Sequence, residues 1–191
     1  MTPQISLVLP VRDDVELTLR CLEGIAREPE EVPFEVVIVD DASQDATPDL
    51  LAGLDGDVRV LRNDAPRGFG AAADQGAAAA EGEHVVVLQQ DAVPCAGWLR
   101  AMSRALEGPH RPVAVLPRSA RPDGQWLPDA HWLALGVRRS AYAGVGGFAG
   151  AARPGRAEKA SLVEALRGRG HVVDGSPDAV FLATPRDVPN G

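Results

Sequence analysis

Residues 84–98 read HVVVLQQDAVPCAGW. Val85, Val86, Val87 and Leu88 are apolar with no alternation, the pattern of a strand covered on both faces of a parallel sheet. Gln89, Gln90 and Asp91 end the run abruptly. They would sit at the carboxyl end of that strand, which is where open α/β sheets bind ligands.

The same grammar recurs upstream. Ile5–Pro10 (ISLVLP) reads as a first buried strand ended by Pro10, Glu35–Val39 as a second, and Val58–Leu61 as a short third. Asp13 and Glu16 have the spacing of a capping box, and Val15, Leu19, Leu22 and Ala26 then recur on one helical face. Thr47 followed by Pro48 opens a second helix, with the hydroxyl as cap and proline at the first helical position. The alanines of 71–80 (AAADQGAAAA) favour a third helix packed closely on the sheet and stopped at Gly82, and a fourth runs from about Gly97 to Leu106. This βαβαβαβα order predicts a parallel sheet with right-handed crossovers and helices on both faces.

The second half is less regular. Val113–Leu116 and His131–Val137 read as strands, separated by a loop over Arg118–Asp129 that carries Pro122, Gly124, Trp126 and Pro128. A single helical turn over Ala141–Val145, a loop over Gly150–Gly155 and a helix from about Ala157 to Arg167 follow. Two short strands, His171–Val173 and Ala179–Leu182, precede a polar tail.

The chain has 191 residues and a formal net charge of -8. That length supports one domain with one good core. The charge offers no field for a nucleic-acid backbone, although a small phosphate pocket remains compatible. No apolar run approaches the roughly 20 residues of a membrane span, and the first ten residues lack a signal-peptide pattern; the expectation is a cytoplasmic protein. Cys21 and Cys95 lack metal-type spacing and read as reduced, structural thiols.

In order and spacing, LPVRDD, VVIVDDASQDAT, APRGFGAAADQGAAAAEGEHVVVLQQD and VGGF followed by a helix resemble the family 2 glycosyltransferases, which have the GT-A fold. The resemblance implies a single GT-A-like domain over 1–191, with a nucleotide-sugar-binding half (1–98), an acceptor half (99–185) and a tail (186–191). It implies a nucleotide-sugar donor, commonly a UDP-sugar, and an acceptor the sequence does not identify. Pro10 and Arg12 fall where the family's first loop touches the nucleotide, and Asp41 where a carboxylate accepts from the base, with Asp40 and Ser43 framing the turn. An ionised carboxylate is acceptor-only and suits the imide N–H of uracil. A second reading has Asp40, Asp41 and Ser43 simply capping the second helix. Arg67 and Gly68 fall where the family clamps the nucleotide, and the resemblance places Gln89 and Gln90, which end the strand beside it, among the nucleotide-binding residues with Asp40 and Ser43.

Departures from the family pattern are concentrated in its chemistry. The metal motif has two aspartates flanking one residue; here Gln89 replaces the first and Asp91 keeps the second. Mg²⁺ and Mn²⁺ prefer charged oxygen ligands, so either ion would bind weakly, together with the nucleotide diphosphate. Asp91 equally reads as a cap on the turn before Pro94. The base position, the aspartate of a Glu-Asp pair opening the late helix, falls on Lys159, with Glu158 beside it. A solvated lysine with pKa near about 10.4 cannot take a proton at neutral pH, which leaves Glu158 as substitute base or as an ordinary helix opener. Pro66, Ala73 and Asp74 stand where Asn, Arg and Asn are common, and Ala183 lies near a missing His. His131 and His171 receive no role, and Trp126 and Trp132 read as core aromatics or sugar platforms. The expected protein is a small inverting transferase binding its donor at the carboxyl ends of the first, second and fourth strands. The alternative is a catalytically silent relative that binds a nucleotide-sugar or a partner protein. A nucleotidyltransferase would need a Gly-rich loop after the first strand, and LPVRDD has none.

Overall fold

The computed structural model describes residues 3–28, 31–107, 112–121, 125, 133–152 and 158–183, the side chains of 158, 159, 177, 182 and 183 excepted. The first half alternates β1 (Ile5–Val11), α1 (Val15–Ala26), β2 (Phe34–Asp40), α2 (Thr47–Ala52), β3 (Val58–Arg62), α3 (Phe69–Ala79) and β4 (His84–Leu88). Then come β5 (Ala92–Pro94), α4 (Trp98–Glu107), β6 (Ala114–Ala120), β7 (Ala134–Arg138), α5 (Arg139–Val145), α6 (Gly147–Ala151), α7 (Glu158–Gly168) and β8 (Val173–Ala183). They build one eight-stranded sheet in the order β3-β2-β1-β4-β7-β6-β8-β5. β1 pairs in parallel with both β2 and β4, and β2 with β3. β7 runs antiparallel to β4 and β6, while β6 and β8 are parallel.

Strand period two sorts the side chains into two cores. Ile5, Leu7, Leu9, Ile38, Val86 and Leu88 face one side, with Cys21 and Ile25 of α1, Leu51 of α2 and Met102 of α4. Val8, Val37, Val85 and Val87 face the other, with Ala73 and Ala77 of α3, Tyr142 of α5, Phe148 of α6 and Leu162 of α7. The expected doubly covered, mostly parallel sheet is therefore present. α3 lies as close to the sheet as its alanines predict: a Cβ at Gly76 would stand 2.4 Å from Cγ1 of Val8.

Several local expectations are corrected. β1 continues through Pro10 to Val11, because pairing with β4 stops at Val8↔Val87 and no ladder donor is needed beyond it on that side. The Asp13/Glu16 capping box does not form: Asp14 stands at the N-cap in the left-handed region with no side-chain cap bond. Asp45 replaces it, accepting from the Val15 N–H (2.9 Å) and from the Thr47 N–H (2.9 Å), so one carboxylate caps both α1 and α2. Thr47 is accordingly inside α2 rather than its cap. α3 ends at Ala79, before Gly82. α5 is seven residues rather than one turn, and Gly150 lies in α6 rather than a loop. Arg118–Ala120 belongs to β6, and the two short tail strands are one, β8. Its turn-type residues 174–178 are absorbed by a register shift between Pro117 and Arg118. His131, Trp126 and Trp132 lie outside the described residues.

His84, at the amino end of β4, is 4% exposed and its Nε2 has no partner. Burial holds its imidazolium pKa below the ordinary value, with Arg138 adding to burial and Glu83 and Glu107 opposing it. The folded state thus refuses a proton that the unfolded chain accepts near pH 6.5, so stability is lost as pH falls below that value. In urea titrations at pH 7.5 and 5.5, the parent should lose stability by at most about 1.4 kcal/mol per pH unit more than His84→Leu. Equal pH dependence in the two proteins would remove His84 from the account.

Candidate functional site

The carboxyl ends of β1, β2 and β4 carry a connected polar assembly. After Val11 the chain turns through Asp13 and Asp14, both left-handed at φ 55 and 58. Such a conformation costs roughly 1–2 kcal/mol per non-glycine residue, so something must hold it. Gln90 does much of this. Its Oε1 accepts the Arg12 N–H (3.0 Å), and its amide donates to the Asp13 carbonyl, the Asp14 carbonyl (3.2 Å) and Thr18 Oγ1 (3.0 Å). Ser43 Oγ accepts the Asp13 N–H at 2.9 Å, and Asp13 Oδ1 accepts the Gln44 N–H at 2.7 Å. Pro10 is buried beside Val39, whereas Arg12 is exposed, its Nε 3.9 Å from Asp13. The loop is fixed while its guanidinium stays available.

At the end of β2 the two neighbouring aspartates have different employment. Asp40 accepts the Ser43 N–H at 2.8 Å and pairs with Arg62, whose guanidinium also reaches the Ser43 carbonyl at 3.0 Å. It shapes the turn around Ala42, itself at φ 64. Asp41 is 3% exposed. Its Oδ1 accepts from Asn63 Nδ2 (2.8 Å), its Oδ2 from the Gly68 N–H (2.8 Å), and the Arg67 N–H reaches both oxygens at 2.9 and 3.0 Å. Burial pushes this carboxyl up, but the bonds from Asn63, Arg67 and Gly68, with the charge of Arg12, together hold it below the ordinary carboxylate range. It is an ionised pin tying the Asn63–Gly68 loop to the sheet. The Arg67 side chain is exposed and touches Gln75 at 3.3 Å.

At the end of β4, the Gln89 N–H donates to the Leu133 carbonyl (2.8 Å) and its carbonyl accepts the Ala92 N–H (3.1 Å), closing the turn. Asp91 differs from its neighbours: its Oδ1 is buried without a partner. Beneath lies Cys21, whose thiol is pushed up to about 12 by burial and by the charge of Asp91, so it is no nucleophile. An orphaned carboxylate oxygen suits a hard cation, yet no group of three or more His, Cys, Asp or Glu that could hold a metal occurs among the described residues. Asp91 thus fits as one ligand to an ion held mainly by something else.

Asp74, a departure from the family pattern in the sequence, has a structural role that no local pattern signals. From α3 it accepts the Tyr142 hydroxyl (2.6 Å) and the N–H groups of Phe148 (2.8 Å) and Ala149 (3.0 Å). It thereby fixes the Val145–Phe148 corner, and a Cβ at Gly147 would collide with its Oδ1 at 2.2 Å. This corner leads toward α7, whose first two residues are Glu158 and Lys159; their side chains lie outside the described residues. His171 closes α7 through its N–H on the Leu166 carbonyl (3.2 Å).

A cavity of about 940 Å³ opens at the other end of the sheet, between Leu22, Ile25, Phe34, Leu54 and Val58. It contains none of the residues just described, so volume does not mark the site here. No helix among the described residues is long and apolar enough to cross a membrane.

A sheet with four parallel strands, a β7 reversed against them and an aspartate-bearing turn after β2 is the architecture of the GT-A glycosyltransferases. Residues 6–153 match the model of glycosyl transferase family 2, and the chain belongs to that family. It is 35% identical over 114 residues to the succinoglycan biosynthesis protein ExoO of Rhizobium meliloti, covering 59% of this chain and 32% of that protein. It is 31% identical over 93 residues to the putative glycosyltransferase EpsH of Bacillus subtilis, covering 47% of this chain and 26% of that one. The matched region is therefore about a third or less of these relatives. Among solved structures, the mannosyltransferase PcManGT of Pyrobaculum calidifontis, in complex with GDP-Man and Mn²⁺, superposes with TM-score 0.76 at 21% identity, over 98% of this chain and 59% of that one. S. aureus TarS 1-349 in complex with UDP-GlcNAc gives TM-score 0.78 at 17% identity, over 96% and 59%. At such identities the likeness establishes the fold.

Proposed function

We propose that this chain is the nucleotide-sugar-binding and transfer domain of an inverting glycosyltransferase, with residues 1–98 holding the donor and 99–185 the acceptor. The observation carrying this reading is Asp41, ionised and held by three donors at the carboxyl end of β2, between the loops after β1 and β3. An ionised carboxylate accepts and does not donate, so the ring N–H of a base is the group that suits it. Pro10 and Arg12 wall the base, while Arg67 and Gly68 face the diphosphate. Asp40, Ser43 and Gln90 hold the loops, and Gln89 shapes the turn that presents Asp91. The nucleotide-sugars and Mn²⁺ named for two structural neighbours support a nucleotide-sugar donor with a divalent ion.

In this reading the acceptor hydroxyl oxygen attacks the anomeric carbon, its proton passes to the Glu158 carboxylate, and the bond to the β-phosphate oxygen breaks. Arg67 balances the charge on the departing diphosphate. Mg²⁺ or Mn²⁺, when bound, would neutralise the same charge, with Asp91 as its protein ligand. A second reading, a silent relative that still binds donor, is favoured by Lys159 at the base position and Gln89 at the first metal position.

Calorimetric titration tests the site. Without nucleotide, Mn²⁺ should find no sub-micromolar site; with it, Mn²⁺ should tighten UDP several-fold in the parent and leave Asp91→Ala unaffected. A tight Mn²⁺ site in the ligand-free protein, or the same enhancement in Asp91→Ala, would contradict the assignment.

A further inference from the structure

We propose that the cavity at the amino ends of β2 and β3, at the other end of the sheet from the Asp41 turn, is a docking groove for a basic amphipathic helix of a partner protein. Its floor is apolar: Leu22 and Ile25 of α1, Phe34 and Val36 of β2, Leu54, and Val58 of β3. Leu22, Phe34, Leu54 and Val58 pack against the core yet are only partly buried. The apolar surface continues past the cavity on both sides. Leu19 lies one turn before Leu22 on α1 and is 42% exposed; Val60 lies two residues past Val58, on the same face of β3, and is 40% exposed. They are two of the three exposed large apolar side chains among the described residues. Exposed apolar side chains that adjoin one open cavity mark an interaction surface, whereas scattered ones do not.

The charge on the rim says what this surface takes. Four carboxylates, Glu35, Asp55, Asp57 and Glu81, line the cavity against one guanidinium, Arg59. Arg59 is already spent: it pairs with Glu81 at 2.8 Å and donates to the Ala79 carbonyl at 2.6 Å. Glu35 accepts from the Ser6 hydroxyl (2.6 Å) and the Glu81 N–H (2.7 Å). Asp55 and Asp57, in the turn from α2 to β3, are exposed and have no side-chain partner among the described residues. Two uncompensated negative charges therefore stand beside an apolar floor. A helix bearing lysine or arginine complements both features, its apolar side on the floor and its cations on the rim. The same carboxylates repel an anionic lipid surface or a nucleic acid, and a second copy of this chain would bring its own net charge of -8. A small apolar ligand would leave Leu19, Val60 and the carboxylates unused.

The test is the fluorescence anisotropy of a labelled synthetic helix of about 18 residues, with leucines at three- and four-residue spacing and lysines between, titrated with the full chain. The parent should bind it with a Kd on the order of 10 μM and should not bind the same peptide with glutamate in place of lysine. Asp55→Lys combined with Asp57→Lys alters exposed side chains that the fold does not use, and should weaken binding by about tenfold. The same charge change at Asp174 and Asp178 of β8, both exposed, should leave it unchanged. Leu22→Gln should weaken it by about tenfold as well, and Leu19→Gln, whose side chain is already exposed, serves if Leu22→Gln does not fold. No binding of the lysine peptide below about 100 μM, equal losses from the two aspartate pairs, or indifference to both leucine variants overturns the groove. Self-association of the chain that Leu19→Gln abolishes, followed by sedimentation velocity, would put a second copy in place of the partner helix and overturn the proposal too.

Discussion

Glu158→Gln should lower release of UDP from a UDP-sugar by about 10²- to 10⁴-fold, the usual worth of a general base, with UDP affinity unchanged. The amide keeps the shape of the side chain and removes its ability to take a proton. Lys159→Asp is the companion variant. Both residues open α7, where a carboxylate is favoured by the helix dipole, so the exchange should cost little stability. In an enzyme that uses Glu158, Lys159→Asp changes turnover little or interferes. In a silent relative the parent shows background release, and Lys159→Asp raises it by restoring a carboxylate at the base position. A strongly active parent indifferent to Glu158→Gln would place the base on another residue.

Asp74→Ala should destabilise the protein by about 3–5 kcal/mol, since it removes the acceptor of three bonds and strands a largely buried phenol. For a chain of this size that is a fall in Tm of roughly 10 °C. Burial, together with the bond to Asp74, raises the Tyr142 phenol pKa, so Tyr142 cannot relieve the loss by ionising. Asp74→Asn keeps one acceptor oxygen and should lose about half as much. Thermal unfolding followed by circular dichroism measures both, and a loss below about 1 kcal/mol in Asp74→Ala would show that the α5–α6 corner holds without it.

Legibility followed locality. The buried runs of β1, β2 and β4 declare themselves because a strand covered on both faces needs unbroken apolar residues, and VVIVDDASQDAT placed the Asp40–Asp41 turn. What the sequence concealed are bonds between distant segments. Asp45 caps a helix that begins thirty residues earlier in the chain. Gln90 bonds the backbone of the β1–α1 loop 76 and 77 residues away, which no local pattern announces. Asp74 looked like a departure from the family pattern and proves to be the anchor of the corner that carries VGGF. β8 is one strand although it contains Gly175 and Pro177, and only the partner strand's register shift shows how the ladder absorbs such turn-type residues.

The most direct test of the account is the affinity for UDP, measured by calorimetry in the parent, Asp41→Ala and Asp41→Asn, each shown by circular dichroism to be folded. The account predicts that the parent binds UDP and that both variants weaken it by about tenfold or more, because the base loses a charged acceptor and the Arg67–Gly68 clamp loses its pin. Absence of binding to UDP, GDP and TDP at millimolar concentration, or an affinity unchanged in Asp41→Ala, would contradict it.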